Sequence, residues 1–584
     1  MNWDLSKLYA GFDAPEFLSD VDAFRALADA LFAEAKSLEV RADTLETLLR
    51  RMETLAALGL KTFSFVELTM AADANNAPAM AAYGRLMPVM NRVEEVNSAL
   101  AAKLGEVKDL DDIIAASPLL SAHAYLLRTL QRSAAHVIDP ALEPVVLKMQ
   151  LTGGSAWSQL RDQLDGNHTV EYTIDGKTQT LPLSAVRGLA YNPDAAVRKA
   201  AYEAEIAAYP KLEIPMAACL NGIKGEANTL AELKHFDSVL DMSLDTARMD
   251  RATLDALLQA MRESLPMFRR YFRLKARLLG YEGGLKFYDL FAPVGAMSGS
   301  YTPEDARALL VRELGAFSPR MGNMIGRAFD ERWIDMYPRE GKTGGAFCAG
   351  MHPLGISYVL TNFEGSYSSV STLAHELGHA YQNECMTDVP ILMADYPMPL
   401  AETASIFNET LLAQRILETA DRGARIALLE QQLGDAAQVI VDILSRYLFE
   451  TEVIQRRKDA VLSAKELCEI MLDAQRQTYG DGLDPDCMHP YMWACKSHYY
   501  STGVHFYNFP YAFGQLFAVG VYRLYEQRGA GFLPDYEKLL RDAGSGDVRD
   551  VAASVGIDVT DVNFWRESLR FFKEKLEALE SLAE

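Results

Sequence analysis

The stretch TLAHELGHAYQNE, residues 372–384, places His375 and His379 four positions apart with Glu376 beside the first. On an α-helix, residues i and i+4 stand one above the other, so both imidazoles project to one side and can reach a single cation. Glu376 then sits one residue round, where its carboxylate can orient a water on that cation without binding it. Leu373, Leu377 and Ala380 lie on another flank and can seat the helix against a core, while Ser368, Ser369, Ser371 and Thr372 offer N-caps.

A catalytic zinc takes three protein ligands and leaves a fourth position for water. The downstream segment LAETASIFNETLLAQRI, residues 400–416, supplies the third as Glu402. Its neighbours Ala401, Thr403 and Ala404 are small, which lets this backbone approach the first helix closely. Glu409, seven residues on, falls on the same side of a helix and suits a carboxylate that accepts a histidine N–H and so fixes its tautomer. The cofactor expected from this set is one Zn2+ per chain. It would acidify a bound water and polarise a carbonyl, with Glu376 taking the water's proton and passing it to the leaving amine.

Outward from this core, helical periodicity dominates, and the fold class is mainly α. Residues 14–104 carry few breakers, and the stretch 24–59 repeats apolar residues at three- and four-residue steps. A second helical set runs from about 140 to 164. VEYTIDGKTQTLPL, residues 170–183, interrupts it with alternating residues around Asp175-Gly176, predicting a β-hairpin over about 168–183. Between 333 and 363, WIDMYP, GGAFCAG and GISYVLTNF are short, glycine-punctuated and aromatic or β-branched, predicting a small β-sheet beside the HELGH helix. Helices over 430–459 and 562–582 follow. The expected division is an N-terminal helical domain over 1–200 and a catalytic domain over 201–584.

The 584 residues carry a formal charge of -23, which disfavours nucleic acid and anionic membrane surfaces as partners. No apolar run approaches the ~20 residues a membrane helix needs, and the first residues do not read as a secretory signal. Six scattered cysteines without a CxxC pair suit reduced thiols, so the expected location is the cytoplasm. Short peptides remain the expected partners, and oligomeric state is not readable.

The segment KSHYYSTGVHFYNFPYAFGQLF, from Lys496, is the densest supply of histidine and tyrosine in the chain. A phenol there could donate to a developing negative charge while its ring lines an apolar cleft. HELGH preceded by YSSVSTLA, followed by LAETASIFNE, with GGAFC upstream, SHYYSTGVHFYNFPYAFG downstream and WDLSKLY near the N-terminus, resembles the oligoendopeptidase F group of the thimet oligopeptidase family. These are zinc metallopeptidases.

The resemblance implies an ellipsoidal helical molecule with a deep central channel, zinc at its floor, and cleavage inside short unstructured peptides. It carries over His375, His379 and Glu402 as ligands, Glu376 as base, and His498 as the histidine facing substrate or oxyanion. Tyr507, nine residues after His498, matches a family tyrosine that stabilises the intermediate. The strand with Gly344, Gly345, Ala346 and Phe347 resembles the segment that pairs its backbone with bound peptide. The chain departs from better-known animal members at Gly503 and Pro510, where they carry tyrosines, and Tyr500 or Tyr511 is the expected substitute. His505 is a second histidine near the catalytic positions, and Cys348 a thiol of the peptide-pairing strand. Two other readings share the motif: a metallocarboxypeptidase of the carboxypeptidase Taq type, which needs a cationic pocket for a terminal carboxylate, and a peptide-binding protein without turnover.

Overall fold

The computed structural model describes residues 2–139, 141–295 and 299–584, so the expected helical start at Pro140 lies outside the described residues. Helices carry most of the chain, with five short strands among the described residues. The chain folds as two compact units, each assembled from three separated segments. Met1–His136, Gly299–Ile416 and Leu524–Ile557 form the first; Val137–Ser298, Leu417–Arg523 and Asp558–Glu584 form the second. A boundary near residue 200 is therefore not where the chain divides: it falls inside the helix Ala195–Ala208 of the second unit. Helical periodicity could not reveal this, because it reports which face is buried and not which distant segment covers it.

In the first unit, the helices Pro15–Lys36, Ala42–Ala72 and Ala77–Gly105 pack on one another. Ala42–Ala72 is long and apolar enough to cross a membrane by length and composition, where the sequence reading expects no such segment. Its buried Leu45, Leu48, Leu49, Met52 and Leu55 recur at helical spacing inside the unit's apolar core, the pattern of a core helix. That core continues into Met351, Tyr358 and Leu360 of a three-stranded sheet.

The sheet comprises β3 (Ile334–Asp335), β4 (Phe347–Met351) and β5 (Ile356–Leu360), in the order β3-β5-β4. β5 runs parallel to β3 and antiparallel to β4, so β4 is an edge strand. Lys342 ties the crossing together by donating to Asp335 Oδ1 at 2.8 Å and to the Thr361 carbonyl at 2.6 Å. The chain then enters the helix Tyr367–Cys385 through Ser366, whose hydroxyl accepts from the Ser369 N–H at 3.1 Å. The cap thus lies two residues before the first of the expected serines.

The segment after this helix folds as a short turn, Met398–Ala401, followed by the helix Thr403–Thr419. Glu402 occupies the break between them, as the C-cap of the short turn. The helices Tyr367–Cys385 and Thr403–Thr419 touch through backbone at Gly378. A Cβ built there would stand 2.6 Å from both the Ala404 carbonyl oxygen and the Ser405 Cα. Asn408 Nδ2 donates to the Ala374 carbonyl at 3.2 Å across the same contact.

In the second unit, β1 (Thr169–Ile174) and β2 (Lys177–Pro182) form the expected hairpin. Asp175 and Gly176 both have positive φ, 50° and 72°, as a two-residue turn matching strand twist requires. The remainder is helical, with a core that includes Ile223, Phe449, Trp493, Tyr499 and Tyr500.

Gly378→Ala tests the helix contact. In an open helix this change gains about 1 kcal/mol of propensity. Here the methyl must displace backbone, and we expect a loss of about 1–3 kcal/mol, seen as a lower Tm. A raised Tm would show that the two helices can part freely.

Candidate metal centre

The helix Tyr367–Cys385 and the break before Thr403–Thr419 bring His375, His379 and Glu402 together as a possible metal-holding group. The Nε2 atoms of the two histidines lie 3.3 Å apart, and Glu402 Oε2 stands 3.3 Å from the first and 3.5 Å from the second. Ligands held tetrahedrally at ~2.0 to 2.1 Å from a zinc ion are separated by about 3.3 to 3.4 Å. The three donor atoms therefore form a triangle of the size that a zinc ion fits.

Each donor is held from behind. His375 Nδ1 is hydrogen-bonded to Glu409 Oε1, which fixes the histidine ring with Nε2 turned to the centre. The Ala401 carbonyl, one residue before Glu402, lies near the His379 ring and favours its protonated form. Ser405 Oγ donates to Glu402 Oε2 at 2.7 Å. Gly378, between the two histidines, gives the close approach on which this geometry depends. Sequence reasoning missed its role, although a glycine in mid-helix is itself a signal of close packing.

Charge at the centre follows from burial and neighbours. Burial disfavours a charge on His375, yet its hydrogen bonds to Glu402 and Glu409 outweigh that and raise it to about 10. Burial takes His379 down to about 4. Glu402 is opposed by burial but held down to about 2 by His375 and His379. In the metal-free chain a proton on His375 thus supplies the positive charge that a cation would supply when bound.

Glu376 is 5% exposed, and burial raises its carboxyl to about 7, with Glu402 and Glu409 adding to the rise and His375 opposing it. A carboxyl near neutrality can both take and return a proton at physiological pH. Cys348, on β4, faces this group: burial and the charge of Glu376 push its thiol up, so it is not a thiolate nucleophile.

The candidate peptide-pairing segment lies beside the same helix. Gly344 and Gly345 are exposed and precede β4, Ala346 and Phe347 are half-buried, and only Phe347 of these four lies in the strand. Gly345 has φ 77°, and Asn362 Nδ2 holds its carbonyl at 2.8 Å. A cavity of about 600 Å³ runs along Phe347 and Ala349, with Glu67, Leu68, Met70 and Tyr83 among its other lining residues.

His498, Tyr507 and Tyr511 form a group in the second unit. The His498 ring centroid lies 5.3 Å from that of Tyr507 and 6.5 Å from that of Tyr511. Burial, then Arg446 and Lys496, lower the His498 pKa and favour the neutral ring. Tyr500 is elsewhere: it is 1% exposed in the core, under the Arg161 guanidinium, where a substrate would have to displace packed side chains to reach it. His505 is also buried, 4% exposed, and kept neutral by burial and by Lys224. Of the two tyrosines weighed as substitutes, Tyr511 is the half-buried one that shares the His498 group.

The carboxyl of Glu376 gives a pH-dependent prediction for the metal-free chain. Its pKa rises from 4.5 to about 7 on folding, so stability falls as pH rises through that window. Glu376→Gln, which cannot ionise, should melt a few degrees above the parent at pH 8 and level with it at pH 4. A Tm difference independent of pH would contradict this environment for Glu376.

A family model described as Peptidase family M3 matches residues 188–571. Among curated relatives, Group B oligopeptidase PepB of Streptococcus agalactiae is 27% identical over 482 residues, covering 81% of this chain and 79% of that protein. An oligoendopeptidase F homolog of Borreliella burgdorferi is 24% identical over 603 residues, covering 99% and 98%. Among solved structures, a chain from Chlamydophila abortus described as a candidate peptidase has a TM-score of 0.86 at 22% identity, covering 100% of this chain and 98% of its own. Oligoendopeptidase-F from Enterococcus faecium has a TM-score of 0.69 at 18% identity, covering 97% and 98%. With two-thirds of its length matched by the family model, and the HELGH helix inside that match, this chain belongs to peptidase family M3.

Proposed function

We propose that this peptidase is a zinc-dependent oligoendopeptidase that hydrolyses internal bonds of short unstructured peptides. The observation that carries the reading is the donor triangle of His375, His379 and Glu402 beside the buried carboxyl of Glu376. Relatives that bear oligopeptidase and oligoendopeptidase names over most of the chain support the substrate class.

Zinc bound by the three ligands would acidify a water and polarise the scissile carbonyl. Glu376 accepts the water's proton and delivers it to the departing amine, a task its raised pKa suits. Glu409 keeps the His375 tautomer that leaves Nε2 free to bind. Peptide backbone adds to the open edge of β4, with Gly344 and Gly345 admitting the chain closely and Ala346 and Phe347 contacting it. Tyr507 donates its phenol O–H to the oxyanion, and His498, neutral, supplies a further polar contact to substrate, with Tyr511 beside them.

The test is a quenched fluorescent peptide of about ten residues, blocked at both termini. Internal cleavage by the zinc-loaded chain is expected, because no free terminus is needed; cleavage only of peptides with a free C-terminal carboxylate would support a carboxypeptidase instead. Glu376→Gln should keep its metal and lose hydrolysis by a factor of at least about a thousand, whereas His379→Ala should lose the metal. Tyr507→Phe should lower kcat by about 10- to 100-fold with little change in KM, since its bond forms in the transition state. Unchanged turnover would remove Tyr507 from the mechanism.

A further inference from the structure

The loop that carries Tyr507 is anchored by a buried pair of opposite charges. Lys224, on the helix Glu213–Leu233, is 1% exposed, and Glu450, on the helix Ile443–Arg457, is 2% exposed. Lys224 Nζ donates to Glu450 Oε1 at 2.7 Å and to His505 Nδ1 at 3.3 Å. The same carboxylate accepts the Phe506 N–H on Oε1 at 3.1 Å and Asn508 Nδ2 on Oε2 at 3.0 Å. Asn508 in turn accepts the Phe509 N–H at 2.7 Å, where the helix Phe509–Arg528 begins. Every residue from His505 to Asn508 except Tyr507 is thus fastened directly to this pair.

The backbone between these anchors is unusual. Phe506 has φ 53°, in the left-handed region that a bulky residue seldom adopts. Such a conformation persists where surrounding bonds over-determine it, and it decides the direction in which the next side chain leaves the chain. A buried ion pair is also a poor way to gain stability alone, because packed apolar residues of similar volume do as well or better. What apolar residues could not do is accept the Phe506 and Asn508 donors, one on each side of Tyr507. Glu450 also acts on His498, where its charge opposes the effect of burial, so the carboxylate that fastens both neighbours of Tyr507 also acts on the ring beside that tyrosine.

We infer that Glu450, with Lys224 as its counter-charge, is a positioning residue that fixes where the Tyr507 phenol stands. The inference rests on the reading of Tyr507 as the oxyanion donor. His505 belongs to the same device: its Nδ1 accepts from Lys224, which leaves the ring a structural link and not a proton carrier.

A double-mutant cycle on the zinc-loaded full chain tests this. Glu450→Gln keeps the side-chain shape but leaves Lys224 without its counter-charge. Asn508→Ala leaves the Lys224–Glu450 pair intact and removes one link, so it serves if the first variant folds poorly. Each would be measured for kcat and KM on the blocked peptide, with zinc content and Tm, in the parent and in the Tyr507→Phe background. In the parent, each variant should lower kcat about tenfold or more with KM within about twofold. In the Tyr507→Phe background, each should change kcat by less than about twofold, because the group being positioned is gone. Equal losses in both backgrounds, or unchanged kcat in the parent, would overturn the inference. If Tyr507→Phe itself turns over normally, the reading of Tyr507 falls first, and this inference with it.

Discussion

The triangle formed by His375, His379 and Glu402 depends on one close contact, the approach of the helix Tyr367–Cys385 to residues Ala404 and Ser405 at Gly378. Helix axes whose contact residues carry ordinary side chains stand ~8–10 Å apart. With no Cβ at Gly378, backbone meets backbone. Glu402, at the break before the second helix, is then delivered to within 3.3 Å and 3.5 Å of the two Nε2 atoms. Asn408 holding the Ala374 carbonyl, and Phe407 packed against Tyr536 with ring centroids 4.5 Å apart, keep the second helix at that distance.

Charge then follows from position. Two carboxylates, Glu402 and Glu409, converge on His375, and a third, Glu376, is buried alongside. Such a cluster is unfavourable without a cation, and in the metal-free chain a proton on His375 serves as one. The same crowding raises Glu376 into the range where it can exchange protons near neutrality. The arrangement that would bind the metal is therefore also the arrangement that tunes the base, and the two properties cannot be separated by moving one residue.

Local sequence features made the centre readable. HELGH carries its meaning in a four-residue step between two histidines, and Glu402 and Glu409 are suggested by the need for a third ligand and by a seven-residue step. The hairpin at Asp175-Gly176 was equally local, because a turn with two positive φ values has few possible compositions. Features built by distant segments were not readable. Each compact unit joins three pieces separated along the chain, so no composition shift marks a boundary. Lys224 and Glu450 are separated by 226 positions, and neither looks different from a surface charge until the fold buries both. Tyr500 and Tyr511 read alike in an aromatic segment; only packing shows that the first is enclosed in a core.

His375, His379 and Glu402 are proposed to hold one zinc ion tetrahedrally, with a fourth position left to water. The decisive measurement is a crystal structure of the zinc-loaded chain, with anomalous scattering collected at the zinc edge. One zinc per chain is expected, bound through Nε2 of both histidines and a carboxylate oxygen of Glu402 at ~2.0 to 2.2 Å, with Glu409 bonded to His375 and not to the metal. Zinc bound by Glu409 in place of Glu402, or located away from the HELGH helix, would contradict it.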